Sequence, residues 1–237
     1  MNSILKLRTR LIQLVSSEVV YEGVRIPITG SHLSFAIIHQ LVEKNYEKPE
    51  INAISRIVRD NDRILELGAG IGVVSAITAK KFPFVKILSF EANPSLVTPI
   101  KNLHQINNIC SISVIHAICT ATESIGNERK FYVTKSFSRS SVIPPLLIDH
   151  EINVPTVQVN KVINDFSPTI LIMDIEGGEA ELIPSICLGG VREIVIELHP
   201  NVLDDNEIFK IFSALINAGF CPKLNYSQAN VFLFSRV

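Results

Sequence analysis

The sequence shows no excess of either charge. Its 22 Lys and Arg stand against 23 Asp and Glu, a formal net charge of −1. A nucleic-acid binder carries a basic footprint, so this balance argues against DNA or RNA as a partner. Cysteine is scarce: Cys110, Cys119, Cys187 and Cys221, with no CxxC pair among them. Far apart in apolar surroundings, they are expected to be buried free thiols in a reducing, cytoplasmic setting. No apolar run approaches the roughly 20 residues of a membrane span. There is no internal repeat and no low-complexity linker, which excludes solenoid and tethered-module architectures.

What is present is core material. The chain has 237 residues, 47% of them hydrophobic. That suits one large α/β domain with or without an appendage. At the N-terminus, Ile4, Leu7, Leu11, Leu14 and Val15 recur at helical spacing, with Lys6, Arg8 and Arg10 between them. Interrupting charges and the lack of a small-residue cleavage site speak against a secretory signal. This helix is expected to pack on the domain or at a homodimer interface. A short extended stretch follows, split by Gly23, and then two helices, the first with Ser31 as its N-cap. Residues 1–60 read as a helical cap and residues 61–237 as the main domain.

From "RILELGAG" onward, short apolar strands alternate with helices, the mark of parallel βαβ units. The pattern breaks at about 127–160, read as an inserted loop or hairpin. It then resumes with "TILIMDI", a helix ending near Gly189, "EIVIELH", and a last helix followed by two strands. The short "SQA" link makes that final pair antiparallel. The expectation is a mostly parallel, seven-stranded Rossmann-like sheet with a reversed last strand, as in class I methyltransferases. Other doubly wound folds fit the same pattern.

The loop "ELGAGIG" (Glu66–Gly72) is the first chemical signal. Its glycines let a ligand approach the backbone, and the next helix offers free N–H groups. NAD favours G-x-G-x-x-G, but the third glycine position holds Val73. G-x-G-x-G preceded by Glu66 suits S-adenosylmethionine (SAM) better: an acid for the ammonium, a helix N-terminus for the carboxylate. Glu91, ending the next strand, lies where a doubly wound fold needs an acid for the ribose hydroxyls.

The second signal is "LIMDIEGGEAELI" (Leu171–Ile183), where an apolar run ends in Asp174, Glu176 and Glu179. Ligands bind beyond the carboxyl ends of such strands. Asp174, with Glu197 and His199 on the neighbouring strand, is therefore expected at the cleft mouth. Gly177 and Gly178 would leave room for cofactor or acceptor. A hydroxyl acceptor must lose a proton, and neutral imidazole is available near pH 7, so His199 is the first candidate base. Asp174 is the second, and Glu176 could serve either as base or as orienter. Glu179 is expected only to favour a helix N-terminus. Asp174, Glu176, Glu197 and His199 would also suit a divalent metal, a reading not favoured here; no metal ligand is assigned.

With these pieces in place, the chain resembles the FkbM family of SAM-dependent methyltransferases. The matching segments are "NYEKPE" (Asn45–Glu50), "ILELGAGIG" (Ile64–Gly72), "FEANP" (Phe90–Pro94), "IMDIEGGEAELI" (Ile172–Ile183) and "IVIELHP" (Ile194–Pro200). The family shows a YE-x-x-E run, an FEP-like segment and a D-x-E-G-x-E block in this order. Here Ala92 and Asn93 separate the acid from Pro94. The resemblance implies O-methylation of a hydroxyl on a small molecule, sugar or glycan intermediate. The sequence itself does not separate oxygen from nitrogen. An N-P-P-Y block, used on nucleobase and glutamine nitrogens, is absent. The expected cofactor contacts are Glu66, Gly68, Ala69, Gly70, Gly72, Glu91, Ala92, Asn93, His116, Ala117 and Asp174. Tyr46 and Glu50 would cover the cofactor, and Arg139, Ser140 and Ser141 would meet a polar acceptor. Two alternatives stand beside this reading: an NAD(P) oxidoreductase, and a SAM-binding protein without turnover.

Overall fold

The computed structural model describes residues 3–29, 33–122, 127–134, 140–144 and 148–237. Helix α1 (Ser3–Val15) precedes a hairpin of β1 (Glu18–Tyr21) and β2 (Val24–Pro27), which turns at Gly23. Helix α2 (Phe35–Val42) starts after Ser34, whose hydroxyl accepts from the Ile37 N–H. The cap is thus Ser34; the expected Ser31 lies outside the described residues. Helix α3 (Lys48–Ile57) completes the N-terminal region.

The central sheet follows from its own pattern. Strands β3 (Arg63–Leu67), β9 (Ile170–Met173) and β10 (Glu193–Glu197) are apolar nearly throughout and buried on both faces. Only helices on both sides can cover such strands. Helices α4 (Val73–Lys81), α5 (Pro94–Ile106) and α8 (Asp205–Asn217) do much of this. Strand β4 (Lys86–Glu91) and strand β5 (Ile112–His116) extend the sheet on one side of β3. Strands β11 (Phe220–Pro222) and β12 (Val231–Arg236) close the other. The order is β11-β12-β10-β9-β3-β4-β5, with β12 antiparallel to β10 and the neighbours from β10 to β5 parallel. The order reverses between β3 and β9, so the crevice opens beyond Leu67 and Met173.

Between β5 and β9 the chain forms a second, three-stranded sheet. It contains β6 (Ile118–Thr120), β7 (Glu128–Val133) and β8 (His150–Gln158), with β8 parallel to β6 and antiparallel to β7. Helix α6 (Val159–Phe166), which the sequence pattern did not reveal, returns the chain to the sheet. The helix expected to run to near Gly189 is shorter. One turn, α7 (Glu179–Leu182), passes into a 3-10 turn at Ile183–Ser185, because Pro184 has no N–H to continue it.

The hairpin, α2 and Tyr46 share one apolar cluster with Ala69 of the glycine loop, Val73 of α4, and Leu96 and Ile100 of α5. Polar ties reinforce this contact. The Tyr21 hydroxyl donates to the Tyr46 carbonyl at 3.0 Å. Asn107 accepts from the Arg25 N–H and donates to the Arg25 carbonyl, each at 2.8 Å. All four cysteines are free, but only Cys119 is buried; burial raises its thiol pKa to about 12. Cys110, Cys187 and Cys221 are exposed, against expectation, because they sit in loops or on the edge strand β11.

Candidate active site

A cleft of about 1640 Å³ lies at the carboxyl ends of β3, β4, β9 and β10, between the sheet and the N-terminal region. The glycine loop forms its floor. Gly68 and Ala69 donate their N–H groups to the Phe90 carbonyl at 3.0 and 3.1 Å, which lashes the loop to β4. The Gly70 N–H then meets Glu91 Oε2 at 2.9 Å, and the Asn93 N–H meets Oε1 at 2.7 Å. Glu91 is thereby fixed with its carboxylate at the cleft. Burial raises its pKa to about 7, opposed by those backbone donors. Gly68 has no substitute: a Cβ there would lie 1.7 Å from the Asp174 carbonyl oxygen, and its φ is +87°.

The expected cofactor residues divide into two groups. Gly68, Gly70, Glu91, Ala92, Ala117 and Asp174 line the cleft. Glu66, Ala69, Gly72, Asn93 and His116 do not. Glu66 is 1% exposed and does not reach the cleft; it accepts from the Ser89 hydroxyl on β4. Asn93 caps α5, accepting from the Ser95 N–H and hydroxyl. A His116 ring nitrogen lies 3.1 Å from the Ala92 carbonyl, supporting the turn behind Glu91. Tyr46 is buried with its hydroxyl over Gly70, so it covers the loop from the N-terminal side.

The opposite wall is acidic. Asp174 ends β9, Glu197 ends β10, and His199 stands two residues on. His199 Nε2 is 3.4 Å from Asp174 Oδ1 and 3.5 Å from Glu176 Oε2; Nδ1 is 3.3 Å from Glu179 Oε1. These are ion-pair distances without hydrogen-bond alignment: among the described residues, Asp174 Oδ1 and His199 Nδ1 have no hydrogen-bond partner. Burial alone would lower the His199 pKa, but the three carboxylates outweigh it and lift it to about 9. The imidazole is therefore cationic near pH 7, and the neutral base expected from sequence is not its resting form. Burial pushes Glu176 up to about 7, with His199 opposing. Asp174 is raised well above the usual carboxylate range, first by burial and then by Glu197 and Glu47.

Other expectations change in detail. Gly177, at φ +101°, makes room for protein side chains: a Cβ would meet Val202 and Ile143 within 3 Å. Gly178 packs in the same way on Ile175. Ser140 and Ser141 line the cleft, but their hydroxyls hold the chain itself, accepting from the Thr134 N–H and donating to the Glu176 carbonyl. Arg139 lies outside the described residues. Two acids have more part in the site than the sequence indicated. Glu179 is fully buried, accepts from the Ile175 N–H at 3.1 Å and reaches His199. Glu47, the residue before α3, lines the cleft beside Glu50. Their i, i+3 spacing across Pro49, at a helix start, was the signal that marks one shared face. Glu47 and Glu176 both hold positive φ, at +43° and +53°. Such strain in non-glycine residues gathers at functional sites.

Among solved structures, the chain is similar in fold to a precorrin-6y C5,15-methyltransferase from Geobacter metallireducens GS-15. The TM-score is 0.50 at 13% identity, over 81% of this chain and 89% of that one. It also matches a TehB-like SAM-dependent methyltransferase from Corynebacterium glutamicum ATCC 13032, with TM-score 0.46 and 10% identity, over 84% and 92%. TYW2 of M. jannaschii in complex with AdoMet matches with TM-score 0.44 and 14% identity, over 90% and 82%. The first of these likenesses speaks for the fold alone: the Rossmann-like class I methyltransferase fold. No curated protein matches the chain. The family model of the methyltransferase FkbM domain matches residues 66–221, more than half of the sequence, with strands β4, β5, β9 and β10 wholly inside it. The chain belongs to the FkbM methyltransferase family.

Proposed function

We propose that this chain methylates a hydroxyl of a small-molecule or carbohydrate acceptor, with SAM as the methyl donor. The observation that carries the reading is one cleft with two unlike walls. On one side Glu91 is locked to the Gly70 N–H at the end of β4; on the other stand Asp174, Glu176 and His199. The donor set fits SAM. A carboxylate suits the ribose hydroxyls, the glycine loop admits close approach, and Asp174 offers an unpartnered oxygen. When bound, SAM supplies a methyl group already activated by positive sulfur.

The residues of the chain then have distinct tasks. Gly68 and Gly70 expose backbone, Ala92 and Ala117 leave space, and Tyr46 closes the loop from above. Glu66, Ala69, Gly72, Asn93 and His116 hold that frame from behind. Much of the rate can come from holding acceptor and methyl in line. Glu176 is the favoured proton acceptor, since a carboxylate with a pKa of about 7 is matched to neutral pH. Asp174 orients the acceptor hydroxyl. His199, cationic between three carboxylates, positions Asp174 and Glu176 and does not take the first proton.

Calorimetry tests the donor directly. SAM and its demethylated product should bind, and NAD should not. Glu91→Ala should weaken both SAM species by roughly one to two orders of magnitude, the cost of charged hydrogen bonds to the ribose. Folded protein, free of carried-over ligand, that ignores SAM or prefers NAD would sink the reading.

A further inference from the structure

The acids at the cleft outnumber what one histidine can balance. Asp174, Glu176 and Glu179 share His199. Arg129 answers Glu181 at the rim, at 2.6 Å. Glu47, Glu50 and Glu197 are left. Among the described residues, none of the three forms an ion pair with Lys, Arg or His. One carboxylate oxygen of each lies within 4.8 Å of those of the other two. They come from two separate elements, the start of α3 and the end of β10.

Clustered acids are common on surfaces and need no ligand there. Glu50 is not on the surface. It is 4% exposed, lines the cleft, and its Oε2 has no hydrogen-bond partner among the described residues. Burying an unpaired carboxylate beside two others is costly unless a proton or a metal cation joins them, and burial already raises the Glu50 pKa to about 10. The neighbouring triad of Asp174, Glu197 and His199 has similarly close atoms but does not suit a metal in the same way. His199 stands within ion-pair distance of three acids, and the protonated ring they favour has no lone pair for an ion.

We propose that Glu47, Glu50 and Glu197 bind one divalent, oxygen-preferring cation of the Mg²⁺ or Mn²⁺ type. Three carboxylates from two elements are an all-oxygen donor set for such an ion. Glu47 and Glu197 are only half-buried, so the ion keeps positions open toward the cleft. Those positions take water or an acceptor oxygen, and a hydroxyl held there is more acidic. That last use rests on the methyl-transfer reading; binding of the ion does not.

The test is a Mn²⁺ titration of the full chain after EDTA treatment and dialysis, with free Mn²⁺ read by EPR. One equivalent should bind saturably, and Mg²⁺ should compete. Glu50→Gln and Glu197→Gln should each weaken binding by roughly tenfold or more, since even outer-shell partners of metal ligands cost that much. Glu181→Gln should leave it unchanged. Melting curves establish that each variant is folded. If Glu50→Gln fails to fold, Glu197→Gln, at the half-open rim, decides. Absence of saturable Mn²⁺ binding in the folded wild-type chain overturns the proposal. So does binding that survives in both folded variants, or in Glu197→Gln alone if Glu50→Gln does not fold. SAM calorimetry in the same buffer separates the two readings. SAM bound without Mn²⁺ removes only the metal; Mn²⁺ bound without SAM removes only the donor.

Discussion

At the scale of single residues, the acids of this chain behave differently according to what surrounds them. Glu66 and Glu91 both end up buried, and burial raises each pKa to about 7. Only Glu91 reaches the cleft; Glu66 sits between β3 and β4 with Ser89 as its partner. From the sequence both looked like cofactor contacts, Glu66 for the ammonium and Glu91 for the ribose hydroxyls. Glu66 pairs with Ser89, two residues before Glu91, so both acids point to one face of the sheet; Glu91 lies two residues further toward the carboxyl ends of the strands, where the cleft is. The shift has a consequence for stability. The folded-state pKa of Glu66 exceeds its ordinary 4.5, so folded protein holds that proton more tightly than unfolded protein. The contribution is fully present below about pH 4.5 and is lost as pH rises through about 7. For a group this buried the loss is on the order of 3 kcal/mol. Glu66→Gln keeps a partner for Ser89 and has no charge to bury. Its melting temperature, relative to wild type, should therefore climb between about pH 5 and about pH 8. A difference that stays flat across that range would show that Glu66 is not the group titrating.

At the scale of elements, legibility followed local signals. Strands β3, β4, β9 and β10 were plain because strands buried on both faces read as unbroken apolar runs. Helix α5 announced itself through Asn93 and Pro94. Helix α6 was hidden. Val157 and Val159 prolong the alternation of β8, and Gln158 makes no side-chain cap, so nothing marks the change of period before Val162 and Ile163. The glycine loop, Glu91 and the Asp174–Glu176 run were legible as parts of one cleft. The approach of Glu47 to Glu197 was not, because the two lie some 150 residues apart in sequence, a separation that only folding closes. The amino ends of the strands show the same dependence on distant partners. Asp62 accepts from the Arg59 N–H, the Thr169 hydroxyl and Arg192 Nη2, at 2.7, 2.7 and 2.5 Å. It thus joins β3, β9 and β10 at the end opposite the cleft. Asp62→Ala removes one of two carboxylates from Arg192, leaving Glu193 at 3.2 Å, and should cost about 1.5 to 3 kcal/mol for the lost hydrogen bonds to a charged group. For a chain of this length that lowers the melting temperature by roughly 3 to 12 °C. Because the cleft is at the other end, SAM affinity should be unchanged where the variant is folded. An Asp62→Ala protein that melts like wild type would show that the three strands do not depend on this junction.

At the scale of the whole molecule, the question is whether the N-terminal region is an appendage or a wall of the site. Residues 1–60 looked separable in sequence because their helices precede the first βαβ unit. In three dimensions Tyr21, Ile38, Leu41 and Tyr46 belong to the same apolar cluster as Ile71, Val73, Leu96 and Ile100. The cleft itself is lined from both sides, by Tyr46, Glu47 and Glu50 as well as by Gly68, Glu91 and Asp174. A region that shares its core with the sheet cannot open without exposing that core. Leu41 has no exposed surface, and Leu41→Ala should cost about 2 to 5 kcal/mol through lost burial and a cavity. If the core is shared, calorimetric melting of the variant remains one transition at lower temperature, and intrinsic tyrosine fluorescence and far-UV circular dichroism move together. If the N-terminal region is an independent unit, the variant splits into two transitions, the first losing only part of the helical signal. In that case SAM should raise the first transition only to the extent that Tyr46 and its neighbours bear on the bound donor. A single transition raised as a whole by SAM would instead mean that ligand, cap and sheet are stabilised together.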